Sequence, residues 1–298
     1  MTRLQDDFFD YVNGEWEKTA VIPDDKPMTG GFMDLDQDIE KLMLATTDKW
    51  LAGQDVPEDP ILQNFVKYHR LVADFDGREQ AGVAPAMPLV EEYKALGSFK
   101  EFADKIAEYE MAGKPNFFTF DVAPDFMNAQ MNVLWADAPG IILPDTTYYE
   151  EGNEKGKELL AIWRKMQEEL LPKFGFSAEE TKDILDKYLE LDAKLAKYVL
   201  SNEESSEYVK LYHPYDWAEF TKLAPELPLD AIFTEILGQV PDKVIVPQER
   251  FWKEFAAECY SEKNWEHLHA ALKLFSTGAW TSLLTEEIRV LSGTYVRA

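Results

Sequence analysis

Residues 177–198 read SAEETKDILDKYLELDAKLAKY, and their spacing sets the class of the fold. A serine followed three residues later by a glutamate is the pattern in which the two residues cap each other's backbone N–H groups at a helix start. Ile184, Tyr188, Leu191, Leu195 and Tyr198 then recur every three or four residues, which places them on one helical face. The same rhythm continues outward in both directions. Leu35, Ile39, Leu42, Met43, Thr46 and Trp50 repeat until Gly53 stops the run, and Ile61, Phe65, Tyr68 and Val72 follow Pro60 in a first-turn position. Further helices are predicted near 98–112, 154–173, 248–260, 264–277 and 279–297.

One region changes period. In NFFTFDVAPDFMNAQMNVLWAD (116–137), Phe118, Phe120 and Val122 alternate, as do Ala129, Met131, Val133 and Trp135, with Ala-Pro-Asp between them as the turn signal. GIILPDTTYYEEG (140–152) reads as an ordered loop. The predicted class is therefore mainly α, a multi-helical lobe with one small β-hairpin. AVIPDDKPMTGGF (20–32) places Pro23, Pro27, Gly30 and Gly31 between two helices. Proline fixes φ and paired glycines relax the backbone, so the chain is expected to cross here between structural units, 1–29 and 30–298.

The 298 residues are 46% apolar and 13% aromatic, enough to build a large core. Against 30 Lys and Arg stand 56 Asp and Glu, a formal charge of −26. Such a surface repels phosphate, and no basic groove interleaved with aromatics occurs, so nucleic acid is not an expected partner. No segment approaches a membrane span or a signal-peptide core, and the single Cys259 forbids an intrachain disulfide. The expectation is a soluble, cytoplasmic protein.

Motifs for chemistry are scarce. His69, His213, His267 and His269 include no pair four residues apart, the spacing that sets two zinc ligands on one helical face. His267 and His269 in WEHLHAALK diverge on a helix and read as half-exposed. Cys259 has no activating neighbour and reads as a free, semi-buried thiol. TGGF lacks the lysine of a phosphate loop, and adjacent acids such as Glu168–Glu169, Glu179–Glu180 and Glu203–Glu204 read as solvated faces. DDFFDYVNGEW (6–16) crowds four aromatics into nine residues, which asks for a partner surface.

Several segments, taken in order, carry a resemblance. DDFFDYVNGEW followed by VIP, then YHRLVADFDGREQAGVAPAMPLVEEY (68–93), FFTFDVAPDFMNAQMNVLWADAPGIILPDTTYYEE (117–151), KLYHPYDWAEF (210–220) and TEEIRVLSGTYVRA (285–298) together resemble the neprilysin family of zinc metallopeptidases, of the bacterial endopeptidase O type. The likeness covers essentially the whole chain, as an amino-terminal portion. It implies a helical lobe that roofs an active-site cavity and limits access to oligopeptide substrates. In the family the His-Glu-x-x-His zinc motif, a third glutamate ligand and an Asn-Ala substrate anchor lie in the second half, and none is present here. Zinc is thus implied for the parent enzyme and none for this chain, which is expected to be inactive alone.

The resemblance also implies that the segment matching 6–27 packs on the catalytic lobe, so Phe8, Phe9, Tyr11 and Trp16 would face a carboxy-terminal partner of the same polypeptide. Asn13 and Leu71 stand where secreted and membrane-bound members carry cysteines. Met28 stands where many members have an arginine that holds a substrate carboxylate, and a thioether cannot make that bidentate contact. Phe32 matches a phenylalanine lining the pocket beyond the scissile bond. Met28 and Phe32 are the candidate substrate-binding residues. The alternative is a non-enzymatic helical module that binds peptides or a protein. Trp280, Leu283, Leu284, Ile288, Leu291 and Tyr295 form a stripe expected to be exposed, or hidden by self-association.

Overall fold

Asp7 and Asp59 each open a helix by accepting backbone N–H groups through their side chains, and Pro60 takes a first-turn position whose N–H would have no partner. The computed structural model describes residues 2–24, 26 and 28–298. Pro27, one of the residues read as fixing the crossing, lies outside them. The chain forms two compact units, one running to Asp74 and one from Phe75 to Ala298. The first holds three helices, α1 (Phe8–Glu17), α2 (Gly31–Leu51) and α3 (Pro60–Val72). α2 ends just before Gly53, whose φ of 75° suits glycine. Trp50 of α2 meets Phe65 of α3 edge-on, with ring centroids 6.4 Å apart.

The second unit carries the core. Helix Trp265–Gly278 buries Trp265, Leu268, Ala270, Ala271, Leu272 and Leu274, so most of its apolar residues sit inside. Helices Ala178–Leu195 and Met87–Lys94 pack on it. Phe275 of the central helix stacks on Phe117 at 5.9 Å and meets Tyr188 edge-on at 5.8 Å. The capping box at Ser177 and Glu180 is formed as read, and a second one forms at Ser201 and Glu204. The helix ends at Leu195 rather than Tyr198, which instead stacks on Phe255 at 4.8 Å.

The hairpin belongs to a four-stranded sheet. β1 (Phe120–Asp125) pairs antiparallel with β2 (Asn128–Ala136), while β3 (Pro214–Asp216) and β4 (Lys243–Ile245) complete the order β1-β2-β4-β3. Ala123-Pro124-Asp125 is not the turn. It ends β1, with the register shifting between Pro124 and Asp125, because an edge strand at an irregularity tolerates the missing N–H. Asp125 then turns the chain by accepting the Met127 N–H at 2.9 Å.

The region near 279–297 also departs from the single predicted helix. A 3-10 turn, Thr281–Leu283, precedes an extended Leu284 and a short helix, Glu286–Ser292, capped by Thr285. The Arg78 guanidinium donates to the carbonyls of Leu284 and Ser282 at 2.9 and 3.0 Å, satisfying acceptors that a continuous helix would have used itself. Leu284 and Ile288 are buried, and Leu291 and Tyr295 pack on the core, so most of the predicted exposed stripe is covered. Only its first member, Trp280, stays substantially exposed.

A buried carboxylate fixes the loop at 140–152. Asp192, 1% exposed, accepts the Ile142 N–H at 2.8 Å and the Tyr149 hydroxyl at 2.5 Å. Tyr295 donates to the Ile142 carbonyl at 2.6 Å. Beside the loop, a Cβ added to Gly156 would lie 1.9 Å from the Tyr148 carbonyl oxygen, so only glycine fits. Burial raises the Asp192 carboxyl from 3.8 to about 6 despite these hydrogen bonds. The folded chain therefore binds this proton more tightly than the unfolded chain, and the group's contribution falls as pH rises through 6. Asp192→Asn keeps an acceptor for Ile142 and removes the titration. Relative to that variant, the parent chain should lose about 1.4 kcal/mol of stability between about pH 5 and 7.5 in urea unfolding. A difference independent of pH would contradict this assignment.

Candidate functional site

Met28 and Phe32 flank the start of α2, separated by Thr29, Gly30 and Gly31. Gly30 is extended and supplies no side-chain cap, while Thr29 reaches Asp34 Oδ1 at 3.2 Å. A Cβ on Gly31 would meet nothing within 4 Å, so the backbone here is openly presented. Phe32 is 86% exposed and Met28 53%. A phenylalanine left this open gives up roughly 1.5–3 kcal/mol of burial.

The exposure extends along the unit. Among the described residues of α1, α2 and α3, only Thr47 and Val66 are buried. Phe8, Phe9, Tyr11, Val12 and Trp16 on α1 are exposed, as are Leu35, Ile39, Leu42 and Met43 on α2 and Ile61, Tyr68 and Leu71 on α3. The α2 residues are those that recur at helical spacing in the sequence. The period is right, and nothing in the unit covers it.

The titratable groups of the second unit are partnered separately. The His269 Nε2–H donates to the Tyr93 carbonyl at 2.8 Å and its ring stacks on Trp265 at 4.8 Å; burial lowers its pKa. His267 lies 3.4 Å from Glu190, and His213 contacts the Val246 carbonyl at 3.2 Å. Cys259, read as semi-buried, is fully buried, and desolvation pushes its thiol far above the usual range, which makes it inert. Asp125 is held at about 2, first by its ion pair with Lys243 and then by the Met127 N–H and the Tyr212 hydroxyl. Among the described residues no three His, Cys, Asp or Glu side chains converge as metal ligands. These residues therefore do not fit zinc. No helix among the described residues is long and apolar enough to cross a membrane.

Asp192 was not singled out in the sequence, although it lies four residues after Tyr188 on the apolar face. A carboxylate on a buried stripe was the available signal. Glu204, read only as part of a solvated face, serves as a capping residue with Ser201, as Glu180 does with Ser177.

Residues 4–298 match peptidase family M13, over the model of its amino-terminal part. A putative zinc metalloproteinase in the scaA 5′ region of Streptococcus gordonii is 64% identical over 298 residues, covering 100% of this chain and 53% of that protein. A neutral endopeptidase of Lactococcus lactis subsp. cremoris is 34% identical, covering 100% of this chain and 47% of its own length. The crystal structure of PEPO from Lactobacillus rhamnosis superposes with a TM-score of 0.88 at 24% identity, over 100% of this chain and 46% of that one. This chain belongs to the neprilysin family, peptidase family M13, and corresponds to its amino-terminal portion. It spans about half the length of the curated relatives it matches.

Because Phe32 packs on little within this chain, Phe32→Ala should change its unfolding free energy by less than about 0.5 kcal/mol. Leu272→Ala in the central helix should cost about 2–5 kcal/mol. A comparable loss for Phe32→Ala in urea unfolding would show that its exposure here is misassigned.

Proposed function

We propose that this chain is the substrate-restricting helical lobe of a zinc endopeptidase that hydrolyses oligopeptides, and that its catalytic residues follow in the same polypeptide. The observation that carries the reading is the uncovered apolar surface of α1–α3 in a chain that spans half the length of its relatives. Helices with such stripes normally bury them. Residues 1–29 are assigned to dock on the catalytic lobe through Phe8, Phe9, Tyr11 and Trp16, and 30–298 to form the restricting lobe. The acidic surface and single cysteine favour a cytoplasmic setting.

In this reading, Phe32 contacts the substrate side chain just beyond the scissile bond. Its openness at the start of α2 leaves the ring free to do so. Met28 occupies the place of a carboxylate-binding arginine, and a thioether offers only weak acceptor chemistry to a charged group. The enzyme should therefore discriminate little between peptides with a free or an amidated C-terminus.

The 298-residue chain alone should hydrolyse no oligopeptide and retain no stoichiometric zinc after dialysis. Zinc-dependent cleavage by the pure chain would overturn the assignment. In the uninterrupted protein, Met28→Arg should raise kcat/KM for free-carboxylate peptides over their amides by about tenfold or more, since a charge-assisted hydrogen bond contributes about 1.5–3 kcal/mol. An unchanged ratio would remove Met28 from the substrate site.

A further inference from the structure

The pairing of β1 with β2 decides which side chains share a face. Residues two apart on a strand point the same way, and so do residues directly opposite each other across a pair. Asp121 lies opposite Trp135, and the Thr119 carbonyl accepts the Asp137 N–H at 3.0 Å, which carries the ladder one step further. Asp121, Ala123, Trp135 and Asp137 thus stand on one face. With Phe126 and Pro247 they line an open cavity of about 320 Å3. Its aromatic wall is fixed in place. The Trp135 indole N–H donates to the Ala123 carbonyl at 3.3 Å, and Phe126 tilts against the indole with ring centroids 4.7 Å apart. Tyr212 stacks on Phe126 at 6.3 Å and donates its hydroxyl to Asp125 at 2.8 Å. Phe126 is nonetheless 57% exposed, so the wall is open to solvent on that side.

Two carboxylates stand beside this wall without a cation. Asp121 accepts the Val122 N–H and Asp137 the Ala138 N–H, each at 2.7 Å, and burial raises the Asp137 carboxyl. No lysine, arginine or histidine lines the cavity. Lys243, which reaches the end of β1, is taken up by Asp125. An aromatic face next to uncompensated negative charge attracts an organic cation. The two acids decide its form. An ammonium is compact and strongly hydrated, whereas a guanidinium lays its plane on an aromatic ring and directs N–H groups from its edge to carboxylates.

We propose that this cavity binds a guanidinium group, stacked on Trp135 and paired with Asp121 and Asp137. The same group is offered by an arginine side chain and by a free guanidino compound, and the cavity has room for the alkyl stem of either. The site goes beyond the proposed peptidase role and does not depend on it. All of its residues lie in the second unit, apart from Met28 and Phe32 in the first.

The test titrates the 298-residue chain with acetylarginine methylamide at low ionic strength and follows the indole N–H resonances by NMR. The citrulline counterpart has nearly the same shape and no charge, and the lysine counterpart has the charge without the plane. Saturable one-to-one binding that shifts the Trp135 indole is expected, about tenfold or more tighter than for citrulline and about threefold or more tighter than for lysine. Propylguanidinium separates the two sources: equal affinity makes the free group sufficient, and weaker affinity shows that the peptide backbone contributes. Asp121→Asn and Asp137→Asn each keep an oxygen for the following N–H and should each weaken binding about fivefold or more. Should one fail to fold, the other decides. Glu110→Gln removes the same charge outside the cavity and should leave affinity within about twofold. Absence of saturable binding, equal binding of citrulline or lysine, or an unmoved Trp135 indole would each overturn the proposal. So would equal weakening by Glu110→Gln, which would reduce the effect to the diffuse field of an acidic chain.

Discussion

An apolar helical stripe removed from water stabilises a fold only if some surface receives it, and the two units of this chain meet that condition unequally. From Phe75 onward the stripes converge on helix Trp265–Gly278, whose buried leucines and alanines are surrounded by aromatic contacts. Up to Asp74 the stripes have the same period and almost no cover, with only Thr47 and Val66 buried in three helices. Each exposed large side chain forgoes roughly 1.5–3 kcal/mol of burial. An unmet requirement of that size is the ground for the proposed partner surface.

Within the second unit, polar groups decide geometry after apolar burial has decided proximity. Asp192 keeps its charge at neutral pH at some cost, and in return ties the loop at 140–152 to the helix that carries it. Arg78 plays a similar part at the other end of the unit, where its guanidinium takes up two carbonyls and lets the chain bend so that Leu284 and Ile288 reach the core. Both groups hold irregular backbone in place, which periodic hydrophobic burial alone does not do.

Much of the helical content was legible, because the stripes at 35–50 and 61–72 carry the period, and Ser177–Glu180 the cap, in the residues themselves. The hairpin was legible as well, but not its turn, since Pro124 looks like a turn residue until the pairing shows that it sits on the edge strand. β3 and β4 are three residues each and join the sheet only through long-range pairing, so no local pattern announced them. Of the candidate site, the positions of Met28 and Phe32 came from family resemblance rather than from any chemistry their neighbours display. Their openness could not be read from spacing.

The central claim is that the face of α1 belongs against a surface encoded farther along the same polypeptide. Amide hydrogen exchange over Phe8–Glu17 tests it most directly, measured in the 298-residue chain and in the uninterrupted protein. With no buried residue to hold it, the helix should exchange fast in the isolated chain and at least about a hundredfold more slowly in the longer protein, the protection expected when its aromatics are docked. Equal rates in the two molecules would contradict the account.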